Sequence, residues 1–221
     1  MVEDSASEPT EPGDDSYVVL RADVVAFSAP RIPVLEAEDR ALPTVTIGEL
    51  AGAGTVEVLE SPPTLLPVGT GAPMLSAKDI RIGRSPSKAA DAAVPGAVTT
   101  RPGDVVVVSG GGPTVVRVCT AVALLAPLVV LIRANPAVVD SRFLAGVLQA
   151  AVDSVTGKVP DLFAVEFPRM TLAEQRRAGE VVAQLMELEN VWRRQRTAVE
   201  QLVRQGIAGL SSGRLSPGPV A

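Results

Sequence analysis

The sequence contains no histidine and a single cysteine, Cys119. The missing histidine excludes Ser-His-Asp catalysis, imidazole acid–base chemistry and histidine metal sites. One cysteine makes no internal disulfide and no zinc site, so no metal and no cofactor are expected. Set in an apolar run, Cys119 reads as a small buried hydrophobe, in keeping with a reducing cytoplasm. Aromatic residues are only 3% of the chain, so a core has to be built from Val, Leu, Ile and Ala. Long apolar runs are missing too. The longest, Val118 to Ile132, has 15 residues and includes Thr120 and Pro127, whereas a membrane span needs roughly 20. Two buried strands broken near Ala126-Pro127 account for it, and no membrane partner is expected. The N-terminus is acidic and polar, with no signal peptide, which points to a cytoplasmic location.

What the chain does have is 221 residues with 47% hydrophobic content, ample for one domain plus an extension. The net charge of −5 is unevenly distributed. Residues 1–16 hold six acids (Glu3, Asp4, Glu8, Glu11, Asp14, Asp15) and no base, leaving 20 bases against 19 acids in the body. An acidic tail of this kind, residues 1–16, is expected to be disordered.

The segment GDVVVVSGGGPTVVRV, Gly103 to Val118, places three glycines between valine-rich runs. A phosphate loop needs a following helix whose N-terminus supplies positive potential, and a Walker loop adds a lysine. Here there is no lysine, and Val115 to Val118 is β-branched. The glycines therefore read as a hairpin turn, whose bare amides can still touch a nucleic-acid backbone.

Along the chain, Tyr17 to Phe27 has strand-like content, and with the Pro- and charge-rich 28–43 it forms a strand and linker segment, 17–43. Thr44 opens a domain with a short strand and a helical turn at Ile47 to Ala51. Strands are predicted at Thr55 to Glu60, Pro73 to Ile82, Leu128 to Arg133 and Leu162 to Phe167, and within Thr99 to Val108 the turn signal Arg101-Pro102-Gly103-Asp104 precedes the four valines that enter the hairpin. Loops fill 61–71 and 83–96, and Asn135 to Asp140 is a turn. Ser141 to Ala151 places Phe143, Leu144, Val147 and Leu148 on one helical face, and Thr156-Gly157-Lys158 breaks that helix.

Thr171-Leu172-Ala173-Glu174 is a capping box. From it a helix is predicted to about Gln205, with Gly179 its only interior glycine. Val181, Leu185, Leu188, Trp192, Gln195, Val199 and Leu202 recur at alternating spacings of four and three, a heptad seam with one polar member. At about 1.5 Å per residue the helix is roughly 50 Å long. So long a seam has to bury itself against another helix, and a partner chain is inferred, the alternative being a helix packed on the chain's own sheet. Residues 207–221, rich in Gly, Ser and Pro, are expected to form a flexible tail.

The series VTIGELA, MLSAKDIRIG, RPGDVVVV, LLAPLVVLIRA, SRFLAGVLQ and FPRMTLAEQRR, in this order, resembles the target-recognition half of type I restriction–modification specificity subunits. It also resembles the related C-terminal domain of some adenine-specific DNA methyltransferases. The strongest parts are Lys78-Asp79-Ile80, Pro102-Gly103-Asp104 and Leu172-Ala173-Glu174-Gln175, and the resemblance covers about Thr44 to Gln205. It implies an α+β fold: a β-rich target-recognition-like domain over 44–170, followed by one long coiled-coil-type helix over 171–206. The domain would read one half-site of double-stranded DNA, and the helix would set spacing and dock a DNA methyltransferase subunit. A full specificity subunit carries two recognition domains, so the second would come from a homodimer through the 171–206 helix or from another chain.

Methyltransferase catalysis by this chain itself is not supported. Asn135-Pro136-Ala137-Val138 matches an N-P-P-aromatic motif at two residues only, so nothing stacks a flipped base, and Gly69-Thr70-Gly71 lacks a strand-then-helix setting. The basic cluster Lys78, Arg81, Arg84 and Lys88, expected at a strand end and the following loop, is the first candidate for DNA contact. Arg117 and the Gly110 and Gly111 amides are the second. Val181, Leu185, Leu188, Trp192, Val199 and Leu202 are the candidate partner-helix residues, with Arg193, Arg194 and Arg196 a solvated or partner-facing surface. The rival reading is a dimerisation or scaffold protein whose recognition domain no longer contacts DNA.

Overall fold

Val105–Val108 forms the central strand, β6, and all four valines are buried. Such a run reads as a strand covered on both faces. In the computed structural model, which describes residues 13–38, 40–155 and 160–218, β6 lies between β9 (Val129–Ala134) and β7 (Val115–Val118). A fourth strand, β2 (Val56–Glu60), pairs with β9, giving the antiparallel order β2-β9-β6-β7. Register alternation puts Val106 and Val108 on one face, against Leu65, Met74, Ile80, Leu125 and Leu131. Val105 and Val107 face the opposite side. There α4 (Ser141–Ser154) lies over β6 and β7, with Leu144, Ala145 and Leu148 fully buried. Asp140 caps α4, accepting from Arg142 N at 3.1 Å and Phe143 N at 2.9 Å.

A second sheet has the order β3-β5-β4-β8, built from Pro67–Val68, Lys88–Ala90, Ala72–Leu75 and Leu124–Leu125, with β4 and β8 parallel. β1 (Thr44–Thr46) pairs antiparallel with β10 (Glu166–Pro168), and α2 (Ile47–Gly52) follows β1 directly. These elements belong to one compact unit, Pro33–Leu185. The other unit consists of Met1–Ile32 together with Met186–Ala221. The α+β class, with a long C-terminal helix, α5 (Leu172–Ser211), is the class expected.

The glycine-rich run closes a hairpin, as expected: β6 and β7 pair from Val105↔Val118 to Val108↔Val115. The break near Ala126-Pro127 also holds, with β8 before it and β9 after.

Several expectations need correction. Pro73 to Ile82 is not one strand. β4 ends at Leu75, and α3 (Ala77–Ile82) starts behind a second capping box, in which Ser76 and Asp79 exchange hydrogen bonds. Gly83, at φ 68°, ends it in the left-handed conformation that glycine tolerates. The loops at 61–71 and 83–96 contain the short strands β3 and β5. Leu162 to Phe167 divides into a 3-10 turn, Leu162–Ala164, and β10, because Asp161 accepts from Phe163 N and curls the chain.

Tyr17 to Phe27 is helical instead of extended, within and just after α1 (Gly13–Val25). Tyr17, Leu20, Val24 and Phe27 are its half-buried positions, a helical spacing that outweighs the β preference of its valines. Their neighbours lie on α5: Tyr17 meets Gly206, and Phe27 packs edge-on to Trp192 with ring centroids 5.3 Å apart. A bulkier residue at 206 would crowd Tyr17, its β-carbon 3.2 Å from Cε2. Part of the seam is thus covered by a helix of the same chain. The helix also runs past Gly206 to Ser211, and the chain then folds back, with Leu215 N donating to Gly209 O at 3.1 Å. The stretch expected as a tail from 207 is therefore helix as far as Ser211, followed by turn and coil to 218. The tail expected over 1–16 lies outside the described residues up to 12, and from Gly13 it is helix. The break expected at Thr156-Gly157-Lys158 lies outside them as well.

Candidate nucleic-acid interface

α3 is anchored by a buried carboxylate. Asp79 is 0% exposed. Its Oδ2 accepts from Ser76 N at 3.1 Å, Ser76 Oγ at 2.6 Å and Ser87 N at 3.3 Å, while Oδ1 accepts from Ser87 Oγ at 2.7 Å and Arg84 Nε at 2.5 Å. Burial alone would raise its pKa, but the hydrogen bonds from Ser76, Ser87 and Arg84 outweigh it and hold the carboxyl far below the ordinary range. One carboxylate thereby fixes the N-terminus of α3, the turn after it and the approach to β5.

The sequence-expected DNA residues gather around this anchor. Arg84 ties to Asp79 and, through Nη2, to Ser87 Oγ at 2.7 Å. Arg81 reaches from α3 to the hairpin tip, Nη2 donating to Gly110 O and Nε to Pro113 O at 3.3 Å. Arg117, on β7, passes under Gly83, where a β-carbon would lie 2.7 Å from Nη1. Lys78 and Lys88 are exposed on α3 and β5. Arg81, Arg84, Arg117 and the glycine tip therefore share one patch, with Lys78 one helical turn before Arg81 on α3 and Lys88 next to Ser87 in sequence. A recess of about 260 Å³ beside this patch is lined by Asp79, Arg84, Arg117, Val106 and Cys119.

The patch differs from the expected one in two respects. Lys78 and Arg81 stand on a helix, not at a strand end. Arg81 and Arg84 also commit donors to other groups of the protein, although Arg84 stays exposed beside Lys78 and Lys88. The second capping box was readable as Ser-x-x-Asp before Ile80-Arg81-Ile82, although Met74, Leu75 and the alternating Ile80 and Ile82 draw the reading towards strand.

The candidate partner residues on α5 fall in both units. Leu188 and Leu202 are half-buried, while Trp192 and Val199 are 50% and 39% exposed. Val203, Ile207 and Leu210 extend the exposed apolar positions towards the C-terminus. Gln195, the polar member of the seam, donates to Val24 O in the last turn of α1 at 3.4 Å, a carbonyl that also accepts from Phe27 N at 3.4 Å. In the other unit Val181 is half-buried and Leu185 38% exposed. The contacts with α4 are made instead by Gly179 and Val182, the latter against Gly146. Arg193, Arg194 and Arg196 pair with Glu189, Glu187 and Glu200 on their own helix, in line with a solvated surface.

Among the described residues there is no cluster of His, Cys, Asp and Glu that could hold a metal, and no helix long and apolar enough to cross a membrane. No protein-family model matches the chain, and no curated protein matches it. Solved structures do. The HsdS subunit from Thermoanaerobacter tengcongensis is 19% identical, with a TM-score of 0.49 over 87% of this chain and 49% of that one. A chain from a structure on complex assembly and conformational transition of the type I R-M system is also 19% identical, with a TM-score of 0.50 over 88% of this chain and 49% of that one. The chain thus spans about half the length of the structures it matches, and at this identity the similarity to the type I R-M chain is one of fold.

Proposed function

We propose that the chain is a non-catalytic DNA-recognition subunit of a restriction–modification or DNA-methyltransferase system, acting in the cytoplasm. Its β-rich domain reads one half-site of double-stranded DNA, and the helix from 171 onwards docks a DNA methyltransferase subunit. The observation that carries the reading is the meeting of two stretches of sequence, the basic 78–84 segment and the 110–117 hairpin, through Arg81 at the Gly110–Gly112 tip and Arg117 at Gly83. Cations beside exposed loop amides suit a phosphate backbone, and arginine forks suit guanine edges. The fold shared with a type I R-M chain supports it. A second copy, joined through the exposed apolar positions of α5, or a different recognition chain supplies the other half-site.

The scaffold reading is favoured by one observation: Arg81 and Arg84 commit donors internally. Two experiments separate the readings. The first compares the adenine-methylation pattern of the host genome with and without this reading frame. Loss of one methylated motif is expected, palindromic if two copies act together and asymmetric if a second recognition chain takes part. An unchanged pattern sinks the recognition role. The second substitutes Lys78→Glu and Lys88→Glu and measures DNA binding by the assembled complex against salt. Each phosphate left without its lysine should lower the salt slope by about 0.9; an unaltered slope removes these lysines from the interface.

A further inference from the structure

The Gly110–Gly112 tip poses a physical problem for any role in binding. All three glycines have positive φ, at 76°, 65° and 146°, and the tip through Pro113 is exposed. Three consecutive glycines are the most permissive backbone there is, and ordering them on binding costs conformational entropy. A tip that contacts a ligand through its amides works best if it is held in place beforehand.

Arg81 supplies such a hold. Its guanidinium bridges the tip, accepted by Gly110 O at one end and Pro113 O at the other, and Gly112 lies against it with an added β-carbon 3.5 Å from Nε. The base of the brace is rigid in turn. Arg81 projects from α3, whose capping box, C-terminal turn and following loop all converge on buried Asp79. α3 thus joins two sets of hydrogen bonds, one on the buried Asp79 carboxylate and one from Arg81 to the exposed turn. A fork of fixed geometry suits two separated carbonyls, whereas a lysine ammonium is a point donor.

We propose that Arg81 is a positioning residue: it holds the Gly110–Gly112 tip in the arrangement that meets a DNA phosphate, and does not itself grip the DNA. The inference rests on the DNA-recognition reading above. With the Gly110 and Pro113 carbonyls held by Arg81, the exposed tip has its glycine amides to offer as donors, and a phosphate oxygen is the acceptor they fit.

The test uses the full chain and a short mixed-sequence DNA duplex, comparing wild type with Arg81→Lys, Arg81→Met and Lys78→Met. Binding is measured across a salt series, and backbone order of Gly110, Gly111 and Gly112 is measured by NMR relaxation. Thermal midpoints check that each variant is folded. A brace predicts that Arg81→Lys, although still charged, loses affinity as Arg81→Met does, by about tenfold, while Lys78→Met loses only the effect of one charge. Glycine order should fall in both Arg81 variants and stay unchanged in Lys78→Met. Arg81→Lys binding like wild type, with Arg81→Met resembling Lys78→Met, would make Arg81 a simple charge contact and overturn the brace alone. A wild-type chain with no salt-dependent affinity for the duplex overturns the DNA reading and this inference together.

Discussion

Arg133 and Asp104 form a two-pronged ion pair between β9 and the entry to β6, Nε donating to Oδ1 at 3.0 Å and Nη2 to Oδ2 at 2.7 Å. The Asp104 side chain is only 4% exposed and also accepts from Arg101 N at 2.7 Å, which closes the turn before the valine strand. Arg133 in turn donates to Thr99 O at 2.9 Å. Asp104→Ala leaves a largely buried guanidinium without its counter-charge and should destabilise the fold by about 3 kcal/mol. A urea midpoint within error of wild type would show that the pair contributes nothing net.

Glu174 closes the capping box of α5, accepting from Thr171 N at 2.9 Å and Thr171 Oγ1 at 2.7 Å, with Arg40 at 3.1 Å on its other oxygen. The bonds from Thr171 and then Arg40 lower its pKa from 4.5 to about 2. Because the folded value lies below the ordinary one, its stabilisation is complete above pH 4.5 and is lost as pH falls towards 2. Glu174→Gln should therefore melt below wild type at neutral pH, and the gap should close across that acid window. A gap independent of pH would remove the carboxylate from the account. Thr171→Ala should cost about 1 kcal/mol at neutral pH.

Gly179 is the one interior glycine of the first half of α5, and close packing explains it. A β-carbon there would run into Asp140 Oδ1 and lie 2.9 Å from Phe143 N, the carboxylate and amide that cap α4. Alanine improves helix propensity by about 1 kcal/mol, yet the clash with an N-cap should make Gly179→Ala a net destabilisation of about 1–3 kcal/mol. A more stable variant in chemical denaturation would refute the close approach.

Cys119 sits at the end of β7, where burial and then the charge of Asp104 push the thiol up to about 12. The thiolate is the reactive form, so alkylation by iodoacetamide should be negligible in the folded chain at pH 8 and rapid in urea. Fast native labelling would show that this part of the core opens.

The motifs that carry the family resemblance have physical roles in the fold. Asp104 of Pro102-Gly103-Asp104 pins a turn to β9, Asp79 of Lys78-Asp79-Ile80 anchors α3, and Glu174 caps α5. Gln175 joins them: its Oε1 accepts from Asp140 N at 3.0 Å, and its Nε2 donates to Val138 O and Met170 O, each at 3.1 Å. These residues hold elements together, so the series pointed to a fold more directly than to a binding surface.

Local chemistry decided what lies within one element's reach. The glycine run with β-branched flanks specified a hairpin, and the Thr171–Glu174 box specified where α5 begins. In each case the deciding partners are a few residues apart. The tertiary structure decided what depends on distant residues. Tyr17 to Phe27 became helical because its apolar face meets α5 more than 150 residues later, a pairing no local propensity encodes. Arg81 and Arg84 were legible as a basic cluster. Their commitment to Gly110, Pro113 and Asp79 was not, because an arginine's charge is local and its hydrogen-bond partners are set by what the fold brings within reach.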